Sequence, residues 1–279
     1  MTNFHRYHES WTDKLNKLIT EISTTPTPRA TSSSDQQHIR HLVDEVVAHY
    51  AHYYDTKAQA ARVDVLSLFA APWASALERS LHWVAGFRPT TLFHLVYTES
   101  SIRFESHVAD ILHGRRTGDL GELTAGQLAR VSELQCLTVK EENEIGDELG
   151  AWQEEVARCE PEWSGLCGGG PEGLNHLLNR LSAVVVRADE LRMKTIRQVV
   201  ELLTPQQAAE FLIAAAELQL GIRRWGQHQD LVRGGGDILI AALLSQNGLL
   251  SFFCGKYSSL MSFFSHMISA TPMEFFFYT

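Results

Sequence analysis

The chain is poor in the residues that build metal, redox and phosphate sites. Its four cysteines, Cys136, Cys159, Cys167 and Cys254, form no CxxC and no regular spacing. That excludes a cysteine-type zinc site and suits reduced thiols better than a secreted disulfide framework. There is no HExxH, GxSxG, Walker A loop or kinase signature. One formal GxGxxG, "GGGPEG" at 168–173, joins two predicted helices with no strand before it, so it is not a dinucleotide loop. Basic runs are missing too: adjacent arginines occur only at Arg115-Arg116 and Arg223-Arg224. With 24 Lys+Arg against 33 Asp+Glu the formal charge is -9, and no diffuse positive field draws the chain onto nucleic acid. The opening "MTNFHRYHESW" lacks the apolar core of a secretory signal, so nucleus and/or cytoplasm is the expected location. No segment up to residue 226 alternates as a strand.

What is present is helical periodicity, and the predicted class is all-α: a single bundle of roughly six to eight helices. Residues 1–22 form an amphipathic helix with Phe4, Tyr7, Trp11, Leu15, Leu18 and Ile22 on one face. A Pro- and Ser-rich linker follows at 23–34, and Ser34 with Gln37 reads as a capping box. The domain proper is then 35–236, with helices expected at 35–70 (ended by Pro72), at 73–86, and briefly after Pro89. Residues 98–122 read as a long inter-helix loop. Thr124 with Gln127 opens a helix to 158, another spans 174–203, and Thr204, Pro205 and Gln207 open a last one to 226. "GQHQDLVRGGGD" then reads as a tether. Residues 237–279 form an atypical apolar tail whose only charges from 238 onward are Lys256 and Glu274. Its uncharged stretch, 238–255, is too short and too interrupted by polar residues for a membrane span.

The densest stretch, "HYAHYYDTKAQAARVDV" at 49–65, divides on a helical wheel. His38, His41, Glu45, His49 and His52 share an arc of roughly 80°, while Tyr50, Tyr53 and Tyr54 lie on the apolar side. The histidine stripe is expected at the surface, and His41, Glu45, His49 and His52 offer at most incidental affinity for a divalent ion, since nothing supplies a fixed third ligand. Lys57, on the tyrosine side, is expected to snorkel or to join a structural ion pair. Glu141, Glu142, Glu154 and Glu155 read as a solvated acidic face. No catalytic constellation is found, so no enzyme is expected, and an interaction domain follows by elimination.

The same stretch resembles a known plant family. "HYAHYYDTKAQAARVDV", then "PWASALERSLHWVAGFRPTTLFHLVY", "LTAGQLARVSELQ", "EEN", "WQEEVA", "ADELRMKTIRQVVELLTPQQAAEFLIAAAEL" and "RRWG" are similar, in order, to the domain of the Delay of Germination seed-dormancy proteins. That domain is shared with the C-terminal half of TGA bZIP transcription factors. The positions carrying the resemblance include His49, Tyr50, Tyr54, Lys57, Asp64, Trp73, Glu78, Arg79, Trp83, Gly86, Arg88, Asp189, Arg192 and Trp225, expected as core, with Arg88 or Arg79 paired to Asp64.

The resemblance implies a non-enzymatic regulator in seed dormancy, abscisic-acid signalling or transcription. It would act by contact with type 2C protein phosphatases or transcription regulators, with self-association left open. Phe4, Tyr7 and Trp11 are the expected partner-binding residues. DNA would be reached only indirectly, since no Lys/Arg-rich stretch precedes the domain. The family is also associated with haem, but Gln219 and Arg223 stand where it carries its histidine pair, and neither normally ligates iron. No cofactor is therefore expected.

Overall fold

The computed structural model describes residues 3–24, 33–115, 117–158 and 170–234. Eight α-helices and one 3-10 turn account for most of them, with no strand among the described residues. The chain is all-α. The linker around 25–32, the "GGGPEG" loop's start and the apolar tail lie outside the described residues, as does the cap preceding the second helix, which begins at Ser33, before the expected cap Ser34. No described helix is long and apolar enough to cross a membrane.

The chain divides into two compact units, Met1–Trp73 with His82–Glu217, and Ala74–Leu81 with Leu218–Thr279. In the first unit α1 (Asn3–Thr24) packs on α2 (Ser33–Val63), which packs on α7 (Gly170–Leu202), itself paired with α6 (Ala125–Arg158). Burial of Phe4, His8, Trp11, Leu15, Ile19 and Ile22 traces the inner stripe of α1. The core joins Ala61, Val65 and Leu68 to Ile145 of α6 and to Leu181, Val184, Val185, Ala188 and Leu191 of α7.

Four boundaries differ from expectation. The helix expected over 35–70 breaks at Asp64, whose carboxylate accepts from the Ser67 amide and caps a separate α3, Val65–Ala70, closed by left-handed Ala71 just before Pro72. The helix expected over 73–86 shrinks to α4, Ala76–Ser80, opened by a Ser75/Glu78 capping box. The short helix after Pro89 is a long one, α5 (Thr91–Leu112), which takes up the larger part of the loop expected at 98–122. Polar residues there are compatible with a helix that is buried at its first turns and solvated beyond.

The final helix, α8 (Pro205–Gly234), runs through the expected tether. Within the second unit the reason is local. The Asp230 carboxylate accepts from the Ala76 amide at 2.9 Å. Gly226 lies so close to Ser75 that a Cβ would stand 2.0 Å from its hydroxyl.

Two predicted caps are found and are joined. Thr124 and Gln127 exchange side-chain bonds with each other's amides, and so do Thr204 and Gln207. The Gln127 amide nitrogen then donates to Gln207 Oε1 at 2.8 Å and to the Leu202 carbonyl at 3.3 Å. Gln207 in turn donates to the Asp119 carbonyl at 3.1 Å. One glutamine thus ties the start of α6 to the α7–α8 turn. Gln127→Glu retains the cap acceptor but removes the bridging donor and sets a carboxylate against Gln207 Oε1. A loss of about 1–3 kcal/mol is expected in urea unfolding, with helicity by circular dichroism preserved.

Candidate functional site

The first unit holds a buried charged cluster assembled from three distant stretches. Lys57 on α2 reaches Asp189 on α7, with Nζ 2.9 Å from Oδ1, and donates to the Ala85 carbonyl at 2.7 Å. Arg192, one turn after Asp189, donates to the same Oδ1 at 2.6 Å. Its other donors meet the backbone of the 83–87 turn: Nε the Phe87 carbonyl at 2.7 Å, and Nη2 the carbonyls of Trp83 and, at 3.0 Å, Val84. The guanidinium also lies over the Trp83 and Phe87 rings, 5.4 and 5.8 Å from their centroids.

This explains why the 73–86 helix fails. Four carbonyls of the turn are spent on two buried cations, and Val84 and Ala85 adopt left-handed φ of 46° and 57° to aim them. Gly86 is required by contact, since a Cβ there would stand 2.9 Å from Arg192 Cζ. Burial lowers the Lys57 pKa to about 8 against the opposing pull of Asp189. The ammonium is committed to two acceptors, a structural rather than a nucleophilic arrangement.

A second buried carboxylate was not legible. Glu142, read as solvated, is 1% exposed; it accepts from Arg88 Nε at 2.7 Å, the Thr90 amide at 2.7 Å and the Thr90 hydroxyl at 3.2 Å, fixing the start of α5. The expected Arg88–Asp64 pairing is thereby replaced, Asp64 being an exposed cap and Arg79 donating to the Ala74 carbonyl. The rest of the expected acidic face stays at the surface in ion pairs: Glu141 with Lys194, Glu154 with Arg158 and Glu155 with Arg180, beside Glu144 and Glu148 with Arg187.

The partner-binding residues expected on α1 fall against α2. Phe4 and Trp11 are buried, and Tyr7 is half-buried with its hydroxyl 3.3 Å from the His52 carbonyl. Trp11 stacks on His49 at 5.1 Å and 10°, its indole N–H donating to the His49 carbonyl while His49 Nε2 donates to the Trp11 carbonyl. His49 therefore leaves the expected surface stripe for the core, because α1 covers its side of α2. His38, His41, Glu45 and His52 remain exposed, His41 standing 3.7 Å from Glu45. Among the described residues no group of three or more His, Cys, Asp or Glu is placed to hold a metal ion.

Tyr50 and Tyr54 are buried, and Tyr53 lies between Trp11 and Tyr54. Trp73 packs on Phe4, with ring centroids 4.9 Å apart. In the second unit, Arg223 is buried with Nη1 3.5 Å from Glu78 Oε1, and Gln219 is half-buried, so neither side chain there offers an iron ligand. Trp225, expected in the core, is 37% exposed beside the buried Gly226.

The family described as seed dormancy control matches residues 15–98. Protein DOG1-like 4 of Arabidopsis thaliana is 29% identical over 238 residues, covering 82% of this chain and 94% of that protein. Protein DOG1-like 3 of the same plant is 28% identical over 220 residues, 73% of this chain and 77% of that one. The chain is similar to the seed dormancy control family over residues 15–98, and the similarity to the DOG1-like proteins covers most of its length.

Transcription factor TGA5 of Arabidopsis thaliana aligns at 27% identity over 227 residues, 77% of this chain but 61% of the factor. The domain match takes in Lys57, the carbonyl turn and Arg88, whereas their partners Asp189, Arg192 and Glu142 lie beyond residue 98. This kinship supports a seed dormancy or transcription-related regulator.

Two outcomes are expected of these contacts. Asp189→Asn leaves Lys57 and Arg192 facing each other without a counter-charge and costs about 3–5 kcal/mol in urea unfolding. Lys57→Met costs less, because Arg192 still satisfies Asp189. Burial lowers the His49 pKa below its ordinary 6.5, so the unfolded chain takes up the proton first. Stability contributed by His49 is complete above about pH 6.5 and falls as pH drops through its lower folded value. Thermal melts of the native chain and of His49→Gln should therefore converge as the pH is lowered below 6.

Proposed function

We propose that the protein is a non-enzymatic regulator of seed dormancy, abscisic-acid signalling or transcription that works by protein contact. Its partners on this reading are type 2C protein phosphatases or TGA-type regulators. The observation that carries it is α1: an amphipathic helix whose anchors Phe4 and Trp11 are held by α2, while Glu9, Asp13 and Lys17 on its other face are exposed. The recognition surface is then the assembled α1–α2 pair. Phe4 and Trp11 set the position of α1, and half-buried Tyr7 is the expected contact.

A second reading, recruitment to DNA through a bZIP partner, is favoured by kinship with TGA factors, one of which, from Nicotiana tabacum, is named a TGACG-sequence-specific DNA-binding protein; it is 27% identical over 224 residues that cover 44% of its length. On either reading the protein acts in the nucleus or the cytoplasm.

Pull-down of type 2C phosphatases and TGA factors from imbibed-seed extract tests the proposal. Because Trp11 is buried, Trp11→Ala removes packing worth about 3–5 kcal/mol and confounds folding with binding. Tyr7→Ser is the cleaner variant: capture is expected to drop severalfold with the melting temperature within a few degrees of native. Unchanged capture by Tyr7→Ser, with native folding, would remove α1 from the contact. DNA alone should show no salt-dependent shift with the protein; a shift only when a bZIP factor is added would select the second reading.

A further inference from the structure

In the second unit, α8 turns one side to α4 and leaves the other uncovered. Arg223 reaches Glu78, Gly226 lies against Ser75, and the Asp230 carboxylate accepts from the Ala76 amide. These contacts recur at intervals of three and four residues, so they mark a single side of the helix. From the helical repeat, Trp225, Leu231 and Val232 lie roughly 105–155° round the helix from the middle of that side. Trp225 and Leu231 are 37% and 65% exposed, and Val232 is half-buried. A tryptophan and two aliphatic side chains thus stand unpartnered by α4 over 225–232, just before α8 ends at Gly234.

The chain that follows supplies a matching segment. Gly234, Gly235 and Gly236 are succeeded by one charge, Asp237, and then by "ILIAALL" at 238–244. From Ile238 to Thr279 the only Asp, Glu, Lys or Arg residues are Lys256 and Glu274, so this stretch gains from any apolar surface that shields it from water. Residues 235–279 lie outside the described residues. Three consecutive glycines put little steric restriction on φ, so the chain can reverse there. From Gly234 back to Trp225 the helix rises roughly 14 Å, which about four extended residues or nine helical ones span. Residues 238–244 are therefore within reach of Trp225, Leu231 and Val232 whether extended or helical. A segment tethered this closely is present at an effective concentration on the order of millimolar, which favours it over any separate molecule.

We propose that residues 238–244 fold back on α8 and bury Trp225, Leu231 and Val232, so that the outer side of α8 is a docking surface for the chain's own tail. In the full chain that surface is then closed to other proteins, and Trp225 becomes accessible to them only when the tail is displaced. The contact lies within the second unit, is independent of the α1 surface, and stands or falls separately from it.

Photo-crosslinking from position 225 reads the contact directly. The full-length chain carrying Trp225→p-benzoylphenylalanine is irradiated in dilute solution and the products are mapped by mass spectrometry. The expected product is a monomer cross-linked to residues 238–244. Ile240→Asp combined with Leu243→Asp, in the same chain, should lower the yield of that product severalfold while circular dichroism stays native. A covalent dimer as the main product would assign the surface to a second copy, and cross-links to lipid alone when phosphatidylcholine vesicles are present would assign it to a membrane; either result overturns the proposal. So would cross-links confined to other residues, no cross-link at all, or an undiminished yield in the double variant. If the double variant does not fold, the position of the cross-link in the otherwise native chain decides alone.

Discussion

The first unit depends on two buried cations that hold an irregular turn in place. Residues 83–87 have no helical ladder to satisfy their carbonyls, and buried carbonyls without donors are costly. Arg192 and Lys57 supply those donors, and Asp189 supplies the counter-charge that makes two buried cations tolerable. Each part needs the others. Without the turn the cations lack acceptors, and without the cations Val84 and Ala85 have no compensation for left-handed φ. Because the three stretches come from α2, α7 and the connection after α4, the cluster also fixes which helices adjoin.

The α1–α2 contact follows a different logic. Trp11 and His49 each donate from the ring to the other's backbone carbonyl, so two rings stack with no ring N–H in that pair of bonds left without an acceptor. This gives a short helix a single register on its partner, where apolar packing alone would allow slippage by a turn. It also makes His49 a poor metal ligand, since its Nε2 is already committed.

What the sequence made legible was local. The capping boxes at Thr124 and Thr204 are written within four residues, and both helices begin where they indicate. The all-α class and the α1 stripe likewise come from short-range periodicity. The misses are places where a distant residue overrides the local pattern. "WASALERSLHWVAGF" has helical periodicity, yet its end is a non-helical turn whose carbonyls are held by Arg192, more than a hundred residues later. Glu142 looks like its neighbour Glu141 until Arg88 and Thr90 are brought against it. His49 belongs to a polar stripe on its own helix, and only the arrival of α1 makes it core. The signature positions Lys57, Asp189 and Arg192 could be named from the resemblance, but their mutual contact could not.

The distribution of charge bears on what kind of partner the chain can meet. Arg180, Arg187 and Lys194 recur every seventh residue along α7, which in isolation would read as a basic stripe suited to phosphates. Each is instead paired with a glutamate of α6: Glu155, Glu148 with Glu144, and Glu141. Such exposed pairs contribute little stability, but they set the register of two long helices and neutralise the stripe. Because each pair removes a carboxylate together with a cation, the chain's excess of 33 Asp+Glu over 24 Lys+Arg is not reduced by them. A net charge of that sign disfavours direct contact with a phosphate backbone, a constraint on this chain although its relatives include a protein named for DNA binding.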